Sequence, residues 1–214
     1  MLTATVNVKI VRIVRCVTVW IASKDLLRMA RKSKNTAKAQ QECAMVYEWA
    51  RPHVKQFRTA VDVGARQGWF AMNMEKDFQH IYCFDFRDYK TQFQQTVNDM
   101  YKFTYHLTGL GEDERTAYTT STRVGRIKET GSVAVPLRTL DSFRLEKVDM
   151  IKYDIEGFEV KAIQGSMKTI KRDWPAIVVE QNKGNLYAVE LLESIGYKCL
   201  GSFPPRNHDY LLIK

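Results

Sequence analysis

The sequence predicts an α/β fold: a central, mostly parallel sheet with helices on both faces and an antiparallel hairpin at the C-terminus. Three observations lead there. Short β-rich runs alternate with helical segments from about residue 59 onward, the pattern of βαβ units. Acids and glycines fall just past the ends of those runs, at the edge where such sheets hold ligands. The chain has 214 residues, 45% of them hydrophobic, enough to bury one full-sized core.

The elements follow in order. Residues 40–54 read as a helix leading into the core. Residues 59–63 form a short β-rich run that ends at Gly64, and 68–76 are helix-like. A second strand covers 81–86 and a second helix 89–100. The third strand is 103–107. The polar stretch 111–131 reads as a loop or excursion, and 133–137 as an added strand with Asp141 just beyond it. Residues 149–155 are a strong strand, followed by a helix over 158–170. Trp174-Pro175 precedes a buried strand at 176–180. A helix over 186–195 stops at Gly196, and residues 197–203 and 210–214 can pair as the terminal hairpin.

Charge divides the chain. The net charge is +9, yet residues 1–40 carry nine Lys or Arg and a single acid, Asp25. The other 174 residues are +1. This marks 1–40 as a basic N-terminal arm or helix and 41–214 as the folded domain. Within the arm, Ile10, Ile13, Val14, Val17 and Ile21 recur at helical spacing between basic residues. That pattern suits an amphipathic helix on an anionic membrane surface, on nucleic acid, or packed against the domain itself. The nearly neutral remainder weakens a nucleic-acid reading for the domain.

Cysteine use and hydropathy narrow the setting. Cys16, Cys43, Cys83 and Cys199 lie far apart, without a CxxC pair. That excludes zinc-ribbon spacing and disfavours a disulfide scaffold, so a reducing, cytoplasmic setting is expected. The longest apolar stretch, 10–22, is interrupted by Arg12 and Arg15 and falls short of the ~20 residues of a spanning helix.

Three motifs carry chemistry. The first is Asp62-Val63-Gly64-Ala65-Arg66-Gln67-Gly68, which closes a strand and opens a helix. Gly64 permits a tight turn and close approach of a ligand to the backbone. N–H groups at the following helix start can hold a carboxylate. Asp62 can accept from an ammonium group or an ordered water, or it can simply cap the helix. An acid stands where GxGxxG has its first glycine, and no Gly-Lys-Ser/Thr follows. A nicotinamide-dependent oxidoreductase and a Walker-type phosphate site are therefore disfavoured.

The second motif is Asp85, 23 residues after Asp62 at the end of the second strand. A carboxylate at this spacing can accept both hydroxyls of a ribose, with Phe86 flanking the nucleoside. The third is Asp154-Ile155-Glu156-Gly157-Phe158-Glu159, where acids leave a strand end before a glycine and a helix. Helix capping explains Glu159. Asp154 lies where a ligand over the sheet would meet it, and Glu180 is a similar strand-end acid.

Taken together, Asp62–Gly68, Asp85, VPLRTLD (135–141), DMIKYDIEGFEVKAIQG (149–165) and WPAIVVE (174–180) resemble the FkbM family of S-adenosylmethionine-dependent methyltransferases. The resemblance spans about residues 59–214 and does not cover the arm. It implies a class I, Rossmann-like methyltransferase fold. It also implies methyl transfer to oxygen, often a hydroxyl on a small molecule or sugar. Carried over, Asp62, Gly64, Ala65 and Gly68 form the methionine-side loop, and Asp85 takes the ribose hydroxyls. Gly109 and Leu110 lie near the adenine, and Asp154 and Glu156 are the carboxylates at the reaction centre.

Three positions depart from the family pattern: Arg66 stands where Asn is usual, and Asp85-Phe86 where Glu-Pro is usual. Arg66 is positioned to bind the cofactor carboxylate or an acidic acceptor. An alcohol is a poor nucleophile, so a base is expected: Asp154 first, Glu156 second, His208 third. No metal-ligand cluster stands out, and a metal-free site is expected. Two rivals stay open, an RNA methyltransferase and a non-catalytic Rossmann-like binding module. The fourth-strand motif is not the Asn/Asp-Pro-Pro-aromatic tetrad of amino-methylating enzymes.

Overall fold

The structure is a computed structural model that describes residues 36–120, 127–181, 185–204 and 208–214. The arm reading of residues 1–40 falls almost wholly outside the described residues. Two compact units divide the chain, Met1–Glu42 and Cys43–Lys214. In the first, residues 36–42 are helical, with Lys38 and Glu42 paired four residues apart. No helix among the described residues is long and apolar enough to cross a membrane.

The second unit opens with helical residues 43–50, α1. It continues as β1 (Thr59–Val63), α2 (Ala71–Met74), β2 (His80–Asp85), α3 (Lys90–Thr96), β3 (Phe103–Leu107) and β4 (Gly109–Leu110). Next come β5 (Arg115–Thr119), β6 (Val133–Arg138), β7 (Val148–Tyr153), α4 (Glu159–Gln164) and α5 (Met167–Asp173). The chain ends with β8 (Ala176–Glu180), α6 (Tyr187–Ser194), β9 (Lys198–Ser202) and β10 (Asp209–Ile213).

Seven strands form the main sheet in the order β3-β2-β1-β7-β8-β10-β9. The first five are mutually parallel, and β10 runs antiparallel between β8 and β9. The hairpin expected from the sequence is present, with β10 inserted next to β8. The polar excursion becomes a second sheet, β4-β6-β5.

Two apolar layers cover the main sheet. Tyr47, Ala60, Phe70, Met74, Ile81, Phe93, Met150, Val178 and Leu211 bury one face under α1, α2 and α3. Val61, Phe84, Leu140, Ile151, Ile163, Ile177, Leu192 and Leu212 bury the other under α4, α5 and α6. The strands alternate between these layers with a period of two. That alternation assigns Asp62, Lys152 and Asp209 to the α1–α3 face, each two positions along its strand from a core residue of that layer: Ala60, Met150 and Leu211.

Some helices are shorter than the sequence pattern predicts. The helix expected over 68–76 is reduced to Ala71–Met74. The helix expected over 158–170 is two helices. The break lies at Gly165, where a Cβ would come within 1.9 Å of the Gly111 carbonyl oxygen. Gly165 thus lets α4 lie against the backbone of the small-sheet segment. Asp141 then anchors α5 from outside, accepting the backbone N–H groups of Lys168 and Thr169 and the Thr169 hydroxyl at 2.8–2.9 Å.

Candidate active site

The carboxyl ends of β1, β2 and β7 meet around an open recess. Its lining includes Gly64, Asp85, Phe86, Leu110, Ile155 and Glu156, with Gly109 and Thr108 beside Leu110. Apolar walls with one buried carboxylate suit a flat, hydroxylated ligand.

The turn after β1 is shaped by two left-handed glycines. Gly64 has φ +88°, and a Cβ there would lie 2.0 Å from the Asp154 carbonyl oxygen. Gly68, at φ +84°, presses on the Phe93 ring. Between them Arg66 is also left-handed, at φ 48°, a conformation that Asn tolerates better than Arg. The N–H groups of Gly64 and Ala65 donate to the Phe84 carbonyl, that of Arg66 to Asp85, and that of Gly68 to Ala65. These donors are therefore used inside the protein. The loop contributes shape and close backbone approach.

Asp85 is buried at the end of β2. It accepts the N–H groups of Arg66 (3.1 Å) and Arg87 (2.8 Å) and the Arg87 guanidinium (3.3 Å). Burial pushes its pKa up, and these donors hold it back. Phe86 packs at the edge of the small-sheet core, under the Arg87 guanidinium.

Asp62 is 1% exposed, and neither carboxylate oxygen has a hydrogen-bond partner among the described residues. Burial pushes its pKa up to about 6. Lys152 opposes the rise, and the nearby Ala71 N–H does so weakly without forming a full hydrogen bond, while Asp154 and Asp85 add to it. Lys152 is its direct neighbour across β1 and β7.

Lys152 is itself buried, with its ammonium 2.6 Å from Asp154 Oδ2 and 5.1 Å from the Phe70 ring centroid. Burial disfavours the lysine's charge, but Asp154, Asp62 and Asp209 more than offset that and raise its pKa. Burial also works against the charge of Asp154. Lys152, the adjoining Glu180 carboxyl and the Arg66 charge prevail and hold Asp154 below the usual carboxylate range. Glu180 moves the other way. Burial and the adjacent Asp154 push it up to about 9.

The loop after β7 is tied down locally. The Asp154 N–H donates to the Val63 carbonyl at 3.0 Å. Glu159 Oε1 accepts from the N–H groups of Ile155 and Gly157 at 3.1 and 3.0 Å, the capping role its position suggested. Glu156 and Gly157 both take left-handed backbone, at φ 60° and 100°. This turns the exposed Glu156 toward the recess it lines.

Residues 62–210 match the methyltransferase FkbM domain. The chain belongs to the FkbM methyltransferase family. S-Adenosylmethionine is the methyl donor of this family. The fold is likewise similar to a solved FkbM methyltransferase from Methylobacillus flagellatus KT, at 19% identity and a TM-score of 0.53. That match covers 74% of this chain and 44% of the other, so this chain spans less than half the length of that relative. A precorrin-6y C5,15-methyltransferase from Geobacter metallireducens GS-15 matches at 12% identity and a TM-score of 0.47, over 77% of this chain and 83% of that one. An rRNA methylase from Streptococcus thermophilus matches at 12% identity and 0.46, over 78% and 92%. A comparison with curated proteins finds no match.

The FkbM site residues separate into two groups. Gly64, Asp85, Phe86, Gly109, Leu110 and Glu156 come together around the recess. Asp62 and Asp154 sit behind and beside it with Lys152, Ala65 and Gly68 shape the turn, and Arg66 is exposed on it. The residues fit the family's cofactor. The recess has apolar walls and a carboxylate at the end of β2, and Asp62 is a buried acceptor lacking a donor.

Three residues gained importance from the structure. Lys152 was not singled out from the sequence. A lysine inside a fully buried parallel strand was the available signal, since such a charge requires a partner. Asp209 and His208 reach the same edge because β10 is antiparallel: Asp209 faces Glu180, and the His208 carbonyl accepts from the Gln181 N–H at 2.7 Å. Among the described residues no group of three or more His, Cys, Asp or Glu is arranged to hold a metal ion.

Proposed function

We propose that this chain transfers a methyl group from S-adenosylmethionine to a hydroxyl of a small molecule or sugar. The observation that carries the reading is the acid set at the carboxyl edge: buried Asp85 in the recess, with buried Asp62 and half-buried Asp154 on the shared face beside it. The cofactor, when bound, supplies an electrophilic methyl carbon on a positively charged sulfur. The chain supplies alignment and charge. Gly64 allows close approach, Asp85 accepts hydroxyl donors, and Phe86, Leu110 and Ile127 provide apolar walls. Asp154 and Glu156 stand at the β7 end as acceptors for the proton-bearing group of the methyl acceptor. The acids there suit a neutral hydroxyl, which must lose a proton as it is methylated.

A screen with isotopically methyl-labelled cofactor tests this against hydroxylated metabolites, sugars and RNA. Label on the oxygen of a small acceptor is expected. Label on an RNA base, with none on hydroxylated small molecules, would replace this reading with the RNA-methylating one.

A further inference from the structure

The strand register brings two carboxyl groups together in a way the motif does not announce. Lys152 pairs with Val178 and Tyr153 with Val179 across β7 and β8. The next positions along are Asp154 and Glu180, side by side at the carboxyl edge. Asp209 of β10 faces Glu180 from the other side. That register sets the Asp154 and Glu180 side chains beside each other on one face, close enough for their charges to interact directly. Two carboxyl groups held side by side at a partly buried sheet edge repel when both are charged, so the pair favours one proton and one negative charge. Lys152, 2.6 Å from Asp154 Oδ2, fixes the negative charge on Asp154. The proton therefore resides on Glu180.

The charged and titratable groups around this pair are Lys152 on β7, Asp209 on β10, Asp62 on β1, Arg66 in the β1 turn and Cys43 on α1. Acids outnumber the buried lysine. A second observation points to a ligand at this place. Asp62 faces Lys152 across the strands, and both its oxygens are buried without partners. Asp154 also adjoins the recess, since its carbonyl touches Gly64 and the next residue, Ile155, lines the wall.

We propose that Glu180 is the proton-holding residue of this site: it releases its proton to solvent when the sulfonium charge of S-adenosylmethionine is bound nearby, and recovers one from the methyl acceptor. The proposal rests on the methyl-transfer reading above. Asp154, held charged by Lys152, is then the positioning partner. The balance is simple. The acceptor oxygen forms the new C–O bond, and the S–C bond breaks with its electron pair going to sulfur. The hydroxyl proton moves to the Glu180 carboxylate. The sulfur is then neutral, and the pair again holds its proton. One proton per turnover reaches solvent, at cofactor binding.

Affinities of the 214-residue chain for S-adenosylmethionine and for the neutral product S-adenosylhomocysteine, measured by calorimetry across pH, test this. A cation favours the deprotonated pair, so the ratio of the two affinities should rise with pH from neutrality until Glu180 titrates in the ligand-free protein, near 9. The rise should approach roughly tenfold per pH unit. Glu180→Gln should abolish the Glu180 part of that rise. Asp154→Asn removes the charge that holds the proton on Glu180 and should move the rise to lower pH, which gives a second variant if the first does not fold. A pH-independent ratio in the unaltered chain, or an undiminished rise in Glu180→Gln, overturns the proposal alone. Failure of both ligands to bind a folded chain overturns the cofactor reading, and the proposal with it.

Discussion

Asp62 holds a charge that Lys152 and the rest of the protein compensate only in part. Its folded pKa of about 6 lies above the ordinary 3.8. Between those values the native state keeps a proton that the unfolded chain has lost, so stability falls as pH rises through that window. The loss amounts to about 3 kcal/mol by neutral pH. Asp62→Asn is therefore expected to stabilise the fold by about 1–3 kcal/mol at neutral pH and by almost nothing near pH 4, as read from urea denaturation at both. The same variant should bind S-adenosylmethionine roughly ten- to a hundredfold more weakly, the worth of a charged hydrogen bond. Equal stability at both pH values would mean that Asp62 is not strained. Gly64 and Arg66 show a related tension. The turn demands left-handed backbone at three of five positions, and Arg accepts it at a cost that Asn would reduce.

At the scale of elements, the segment from β7 through α5 does the positioning. Strand β7 is buried along its whole length, its end is pinned to Val63, and Glu159 ties the following turn. The sequence showed this strand, its acids and the capping role of Glu159, because each depends on local pattern. The split at Gly165 was hidden. An isolated glycine in a helical pattern does not reveal that the Gly111 backbone lies against it. The small sheet was hidden for a similar reason: β5 is a polar strand whose partner, β6, lies beyond a long connection. Asp141 links these parts by anchoring α5. Asp141→Ala removes three hydrogen bonds and should cost about 2–3 kcal/mol of stability. Cofactor affinity should change less than about twofold, since additivity holds for well-separated sites. Calorimetry of the variant beside its denaturation curve checks both. A large loss of affinity would place α5 within the binding machinery.

For the molecule as a whole, strand order decides what meets at the edge. The central position of β1 puts Asp62 between the ends of β2 and β7, and antiparallel β10 brings Asp209 to Glu180. Alternating strands and helices were legible in the sequence, as were Asp85 and the glycine turn, since spacing along the chain carries them. Lys152 and the Asp154–Glu180 contact were not legible, because they follow from which strands are neighbours and in what register. The measurement that tests the account most directly is calorimetric titration of the 214-residue chain, and of its Asp85→Ala variant, with S-adenosylmethionine and with NADH. The account predicts that the unaltered chain binds S-adenosylmethionine and not NADH, and that the variant stays folded but binds at least roughly tenfold more weakly. Undiminished binding by the variant, or no binding by the folded unaltered chain, would contradict it.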